Sequence, residues 1–200
     1  MVDAVVFDLG GVLIRWDPEL LYRQLIPDPA ERRWFLTEVC SPAWNLDQDR
    51  GRSWEAGIAL LTARFPDQAA RIRAYRERWE EMVPGALEGT VVLLERLHAR
   101  GVPLYALTNF HAETLALCRS RFGFFQHFKG MLVSGEEGLV KPEPAFYRRL
   151  LDRHGLEAQR CLFIDDVPAN IEAAHSQNFR THPFTTPEAL EQNLEALGLL

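Results

Sequence analysis

Three short apolar runs in this chain, Val5–Phe7, Leu104–Leu107 and Cys161–Ile164, each give way abruptly to polar residues: Asp8, Thr108-Asn109 and Asp165-Asp166. Runs this short, without polar alternation, read as strands buried on both faces, the arrangement of a parallel sheet. Between them the spacing becomes helical. Helices are predicted from about Leu87 to Arg100, Ala112 to Arg121 and Pro142 to His154; another starts near Pro168, and Thr186 and Pro187 look like the N-cap and first residue of a last one. Met131–Val133 reads as a weaker strand. Strands alternating with helices predict an α/β fold, a doubly wound (Rossmann-like) parallel sheet covered on both sides.

One stretch breaks the alternation. From about Pro18 to Val83 strand signals vanish, and helical spacing puts Trp54, Ile58, Leu61 and Phe65 on one face and Ile72, Tyr75, Trp79 and Met82 on another. The expected organisation is an α/β core from residues 1–15 and 84–200 with a small helical cap, residues 16–83, inserted after the first strand. Two hundred residues, 47% hydrophobic and 25% charged, suit a compact globular protein of this size. A net charge of −6 disfavours nucleic acid as a partner, so a phosphorylated ligand must be held by a local site. Cys40, Cys118 and Cys161 are far apart and odd in number, which suggests neither a disulfide framework nor a zinc site. No signal peptide and no stretch of about 18 apolar residues is recognisable, so a reduced, cytoplasmic protein, monomer or dimer, without a membrane segment is expected.

In a parallel sheet, ligand chemistry collects in the loops at the C-terminal ends of the strands. Asp8, Thr108, Asn109, Asp165 and Asp166 should therefore share one edge. Carboxylates gathered there repel one another and raise a pKa unless a cation sits between them, and a hard, all-oxygen site suits magnesium. Lys141, just ahead of the helix expected from Pro142, could face an anion together with that helix's N-terminus. Taken singly, each of these residues has an ordinary reading as a turn former, a helix cap or a solvated lysine. Their combination and order are what is specific.

FDLGGVL at residues 7–13, LTN at 107–109, Lys141-Pro142 and FIDD at 163–166 resemble, in order, the four motifs of the haloacid dehalogenase-like hydrolase superfamily. The resemblance covers nearly the whole chain and extends to the helical insertion, which is similar to the superfamily's cap. Within the superfamily the chain looks most like small bacterial sugar-phosphate phosphatases. The resemblance implies that Asp8 is the nucleophile and forms an aspartyl-phosphate, and that Asp8, the Gly10 carbonyl and Asp165 hold magnesium with Asp166 ligating or supporting. It implies that Thr108 and Asn109 bind the phosphoryl group, that Lys141 offsets the negative charge, and that Asn170 anchors Lys141 or the metal shell. The expected substrate is a small phosphorylated metabolite.

One departure stands out. Phosphatases of the superfamily commonly carry a second aspartate two residues after the nucleophile, as acid and then base; here that position is Gly10. A positioned acid or base is worth about 10²- to 10⁴-fold. A sugar 1-phosphate, whose anomeric hydroxyl leaves with less help, would suit a site lacking it. Substrate choice is expected from Trp16 and Asp17 and from the loop-like stretch holding Trp44, Asp47 and Arg50, although tryptophans in a helical module are more often core and Asp47–Arg50 reads as a solvated turn. His111 could line the pocket, but a lone histidine is more often structural. Two rivals remain: a 2-haloacid dehalogenase, in which the same aspartate attacks carbon without a metal, and a catalytically weak binding module. Asp165-Asp166 argues against the first, and intact Asp8, Thr108, Lys141 and Asp165 against the second.

Overall fold

The computed structural model describes residues 2–200. Its strands are β1 (Ala4–Phe7), β2 (Leu104–Thr108), β3 (Gly130–Val133), β4 (Cys161–Asp165) and β5 (Arg180–Pro183). All neighbours pair in parallel, in the order β3-β2-β1-β4-β5. Direction reverses between β1 and β4, the switch point at which open α/β sheets bind ligands.

The helices are α1 (Glu19–Leu25), α2 (Pro29–Trp34), α3 (Pro42–Asp49), α4 (Trp54–Arg64), α5 (Ala69–Glu77), α6 (Glu88–Ala99), α7 (Ala112–Arg121), α8 (Ser134–Glu137), α9 (Pro144–His154), α10 (Pro168–Ser176) and α11 (Pro187–Ala196). Because successive strand side chains point to opposite faces, Val5, Phe7, Leu104, Ala106, Leu162 and Ile164 pack on one side of the sheet with Leu94 and Leu97 of α6 and Leu190 of α11. Val6, Tyr105, Leu107 and Phe163 pack on the other with Phe146, Tyr147 and Leu150 of α9. Each fully buried Phe or Leu contributes about 1.5–3 kcal/mol, and this two-sided burial fixes the strand ends in space.

Helices α1–α5 all fall between β1 and β2. The chain leaves and re-enters the sheet through adjacent strands of backbone: the Asp17 N–H donates to the Met82 carbonyl (2.8 Å) and Arg15 N–H to Gly85 (3.0 Å). Ile72, Tyr75, Trp79 and Met82 are buried as their spacing predicts, and join Trp44, Trp54 and the first sheet face in one apolar cluster.

The structure corrects the sequence reading in three places. The stretch with Trp44, Asp47 and Arg50 is not loop but helix α3, capped by Ser41, whose Oγ accepts from Trp44 N–H, with Pro42 at its first turn. The helix after Lys141 opens at Pro144, not Pro142, with Glu143 as its N-cap. Strand β5 was not anticipated: Arg-Thr-His-Pro has no apolar run, and as an edge strand only its His182 is buried.

Candidate active site

Asp8 follows β1 directly, and its N–H continues the sheet ladder by donating to the Ile164 carbonyl (2.9 Å), which sets it beside Asp165 at the end of β4. The Asp8 Oδ1 accepts from Leu9 N–H (2.7 Å) and lies 2.8 Å from Lys141 Nζ. Its Oδ2 has no hydrogen bond from any described residue, and Asp8 lines a cavity of about 290 Å³. Asp165 is wholly buried. Its Oδ1 accepts from Val167 N–H (2.9 Å), Asn170 Nδ2 donates to both oxygens (3.0 and 3.1 Å), and Lys141 Nζ donates to Oδ2 (2.7 Å).

Lys141 is 2% exposed and bridges the two aspartates. Asn109 holds it there from the main chain: Asn109 Nδ2 donates to the Lys141 carbonyl (3.0 Å) and its Oδ1 accepts from Lys141 N–H (2.8 Å). Both ends of the Asn109 amide are thus committed to Lys141, and Asn170 engages Asp165 rather than Lys141. Thr108 Oγ1 is buried with no hydrogen-bond partner among the described residues. An orphaned hydroxyl costs about 1–3 kcal/mol unless a ligand satisfies it.

Oxygens of Asp8, Asp165 and Asp166 lie within 4.8 Å of one another. Asp166 opens to solvent, yet enough protein surrounds it that burial, then the charge of Asp165, raises its pKa. Burial is also the main influence on Asp8, and with the Asp165 charge it outweighs Lys141 to push the carboxyl up to about 7. Lys141 moves up as well: burial alone would lower it, but the two carboxylates hold its proton. Three carboxylates against one ammonium leave the cluster with an excess of negative charge, and its donors are all hard oxygens, so it fits a small divalent cation. Gly11 has φ +74°, and a Cβ there would sit 2.2 Å from Asp166 Oδ2, so only glycine lets this carboxylate approach the loop. A Cβ at Gly10 would meet nothing within 4 Å.

The residues proposed for specificity divide. Trp16, partly exposed, lines the cavity together with Trp54, Trp79 and Phe110. Asp17 accepts from Glu19 N–H (2.9 Å) at the entrance to α1. Trp44 is buried and donates to the Gly57 carbonyl (3.1 Å). Asp47 pairs with Arg52 and Arg50 with Glu143, and none of the four lines the cavity. His111 is the N-cap of α7: its Nδ1 accepts from Glu113 N–H (3.2 Å) and Trp54 Nε1–H (3.1 Å). The sequence reading missed Asn45 and Asp49, which line the cavity from α3. The signal was present in Ser41-Pro42, a cap and first-turn pair that starts a helix on which residues 45 and 49 share a face.

The chain matches the haloacid dehalogenase-like hydrolase family over residues 2–177 and belongs to it. It is 35% identical over 188 residues to the GMP/IMP nucleotidase of Escherichia coli (strain K12), covering 86% of this chain and 78% of that one. A sesquiterpene phosphatase of Aspergillus oryzae is 27% identical over 175 residues, covering 86% of this chain and 85% of its own. A haloacid dehalogenase-like enzyme of Bacteroides thetaiotaomicron, solved with magnesium and inorganic phosphate, shares the fold with a TM-score of 0.71 at 21% identity, over 93% of this chain and 96% of that one. The chain is thus a hydrolase of this family. No helix among the described residues is long and apolar enough to cross a membrane.

Proposed function

We propose that this chain is a magnesium-dependent phosphomonoesterase that hydrolyses small phosphorylated metabolites through an aspartyl-phosphate on Asp8. The observation that carries this reading is the convergence of Asp8, Lys141 and Asp165 within 2.8 Å contacts, with the unpartnered Thr108 hydroxyl at the end of the adjacent strand β2. Asp8, the Gly10 carbonyl, Asp165 and Asp166 would hold magnesium, which when bound would shield the negative charge of the carboxylates and the phosphoryl oxygens.

Asp8 Oδ2, free of partners among the described residues, attacks phosphorus; the bond to the leaving oxygen breaks, and water later releases phosphate and restores the carboxylate. Lys141 holds Asp8 in place and balances charge that grows on the phosphoryl oxygens. Thr108 donates its orphaned hydroxyl to one of those oxygens. Asn109 acts through Lys141 by fixing its backbone. Phosphatase and nucleotidase names among the relatives support phosphorus over carbon as the electrophile.

Residues 16–83 serve as the cap, and aromatic faces of Trp16, Trp54, Trp79 and Phe110 would stack on the ring of a sugar phosphate. Turnover of p-nitrophenyl phosphate that needs magnesium, stops with a chelator and is lost in Asp8→Asn is the expected result. Chelator-resistant chloride release from a 2-haloacid would establish the dehalogenase instead. Hydrolysis of hexose 1-phosphates and 6-phosphates at equal rates would remove the preference for an anomeric leaving group.

A further inference from the structure

Resting on the phosphatase reading, we propose that Asp49 of the helical segment is the proton donor that Gly10 does not supply. It would protonate the leaving oxygen and afterwards activate the water.

Asp49 ends α3 and lines the same cavity as Asp8 and Gly10. Its Oδ2 accepts from Asn45 Nδ2 (2.9 Å), one turn earlier on the same face, and Asn45 Oδ1 in turn accepts from the buried Tyr75 hydroxyl (3.0 Å). The carboxyl is therefore oriented by a chain of neutral groups. It makes no salt bridge with any described residue, whereas the neighbouring Asp47 and Arg50 both find partners of opposite charge. A carboxyl that is enclosed, oriented and left without a cation stays protonated more readily than an ordinary one, which is what an acid catalyst requires. Although part of the residue faces the open cavity, protein surrounds the carboxyl, and this burial pushes its pKa up to about 7.

A Cβ at Gly10 would meet nothing within 4 Å, and Leu9 to Leu13 after the nucleophile carry no ionisable side chain that could do this work. In the first step the electron pair of the breaking P–O bond passes to the leaving oxygen, which takes the Asp49 proton and departs as the alcohol. In the second, the Asp49 carboxylate takes a proton from water as the water oxygen attacks phosphorus. Phosphate is released, and Asp8 returns as carboxylate with Asp49 protonated.

The test compares two esters in the parent, Asp49→Asn and Asp49→Glu. An alkyl phosphate needs its leaving oxygen protonated; p-nitrophenyl phosphate does not. Asp49→Asn should lower kcat/KM for the alkyl ester by about 10² or more and leave that for the nitrophenyl ester within about tenfold, since a positioned acid is worth about 10²- to 10⁴-fold. Because the base for the second step is also gone, the same variant should release one equivalent of nitrophenolate per site in a burst, followed by slow turnover. Asp49→Glu should keep most of the parent's alkyl-ester activity. Equal losses on the two esters in a variant that keeps its unfolding temperature, unchanged kcat/KM on both, or absence of the burst would overturn the role; Asp49→Ser carries the same readings if the Asn variant does not fold. If the parent hydrolyses neither ester, or Asp8→Asn still hydrolyses them, the phosphatase reading fails first and the role of Asp49 falls with it.

Discussion

Replacing Lys141 with Met removes an ammonium while keeping a chain of similar volume at a site that is 2% exposed. Nζ bridges Asp8 at 2.8 Å and Asp165 at 2.7 Å, so the variant leaves two buried carboxylates facing each other without a cation. Removing one partner of a buried pair costs about 3–5 kcal/mol. Protonation sets a ceiling on that loss. Asp165 keeps its bonds from Val167 and Asn170, so neutralising Asp8 alone relieves the repulsion. In the parent this proton is already bound below about pH 7, so the extra cost of keeping Asp8 neutral in the variant appears as pH rises past 7, at about 1.4 kcal/mol per pH unit. The folded-state pKa of Asp8 lies above its unfolded value, so the stability of the variant is highest in acid and falls as pH rises through neutrality. Urea unfolding of the parent and variant in chelator should show a deficit of about 3–5 kcal/mol at pH 7, from the lost buried pairing, that grows by about 1 kcal/mol at pH 8. A deficit below about 1 kcal/mol at pH 7, or one equal at both pH values, would refute this account of Lys141.

Thr108→Val removes a buried hydroxyl that no described residue satisfies, so the unfolding temperature should hold or rise while kcat/KM falls about tenfold or more; a clear loss of stability would mean the hydroxyl is bonded within the protein. Gly11→Ala puts a Cβ against Asp166 and a side chain at positive φ, so the magnesium needed for half-maximal activity should rise about 10- to 100-fold, measured by metal titration of turnover. Asp49 has a folded pKa near 7, above its ordinary 3.8; its contribution is therefore most favourable below about pH 4 and lost as pH rises through 7. Asp49→Asn should accordingly stabilise the chain more at pH 8 than at pH 5 in thermal unfolding, and the opposite trend would show that the carboxyl is not desolvated.

Much of this was legible in the sequence for a simple physical reason. A strand buried on both faces tolerates no polar residue, so Asp8, Thr108 and Asp165 mark their strand ends sharply, and the parallel arrangement then brings those ends together. Lys141 sits on no strand, and its place depended on motif order; its clamp by Asn109, thirty-two residues away, has no sequence signature. Edge strand β5 lacked the apolar run that identifies an interior strand, because only one of its faces is covered. In α3 the residues that face the cavity, Asn45 and Asp49, are polar because they border a cavity rather than apolar core. Their polarity imitated a solvated turn.

The measurement that bears most directly on the chemistry at Asp8 is chemical trapping during turnover. The chain is mixed with a radiolabelled phosphomonoester and magnesium and quenched in acid; one portion is mapped for retained label, and a second is reduced with borohydride, which releases the phosphate, and mapped by mass spectrometry. An acid-stable label on the peptide containing Asp8, reduction of Asp8 itself to homoserine, and loss of both with chelator are the predicted result. Turnover that continues with no covalent label at Asp8, or with label on another residue, would contradict it.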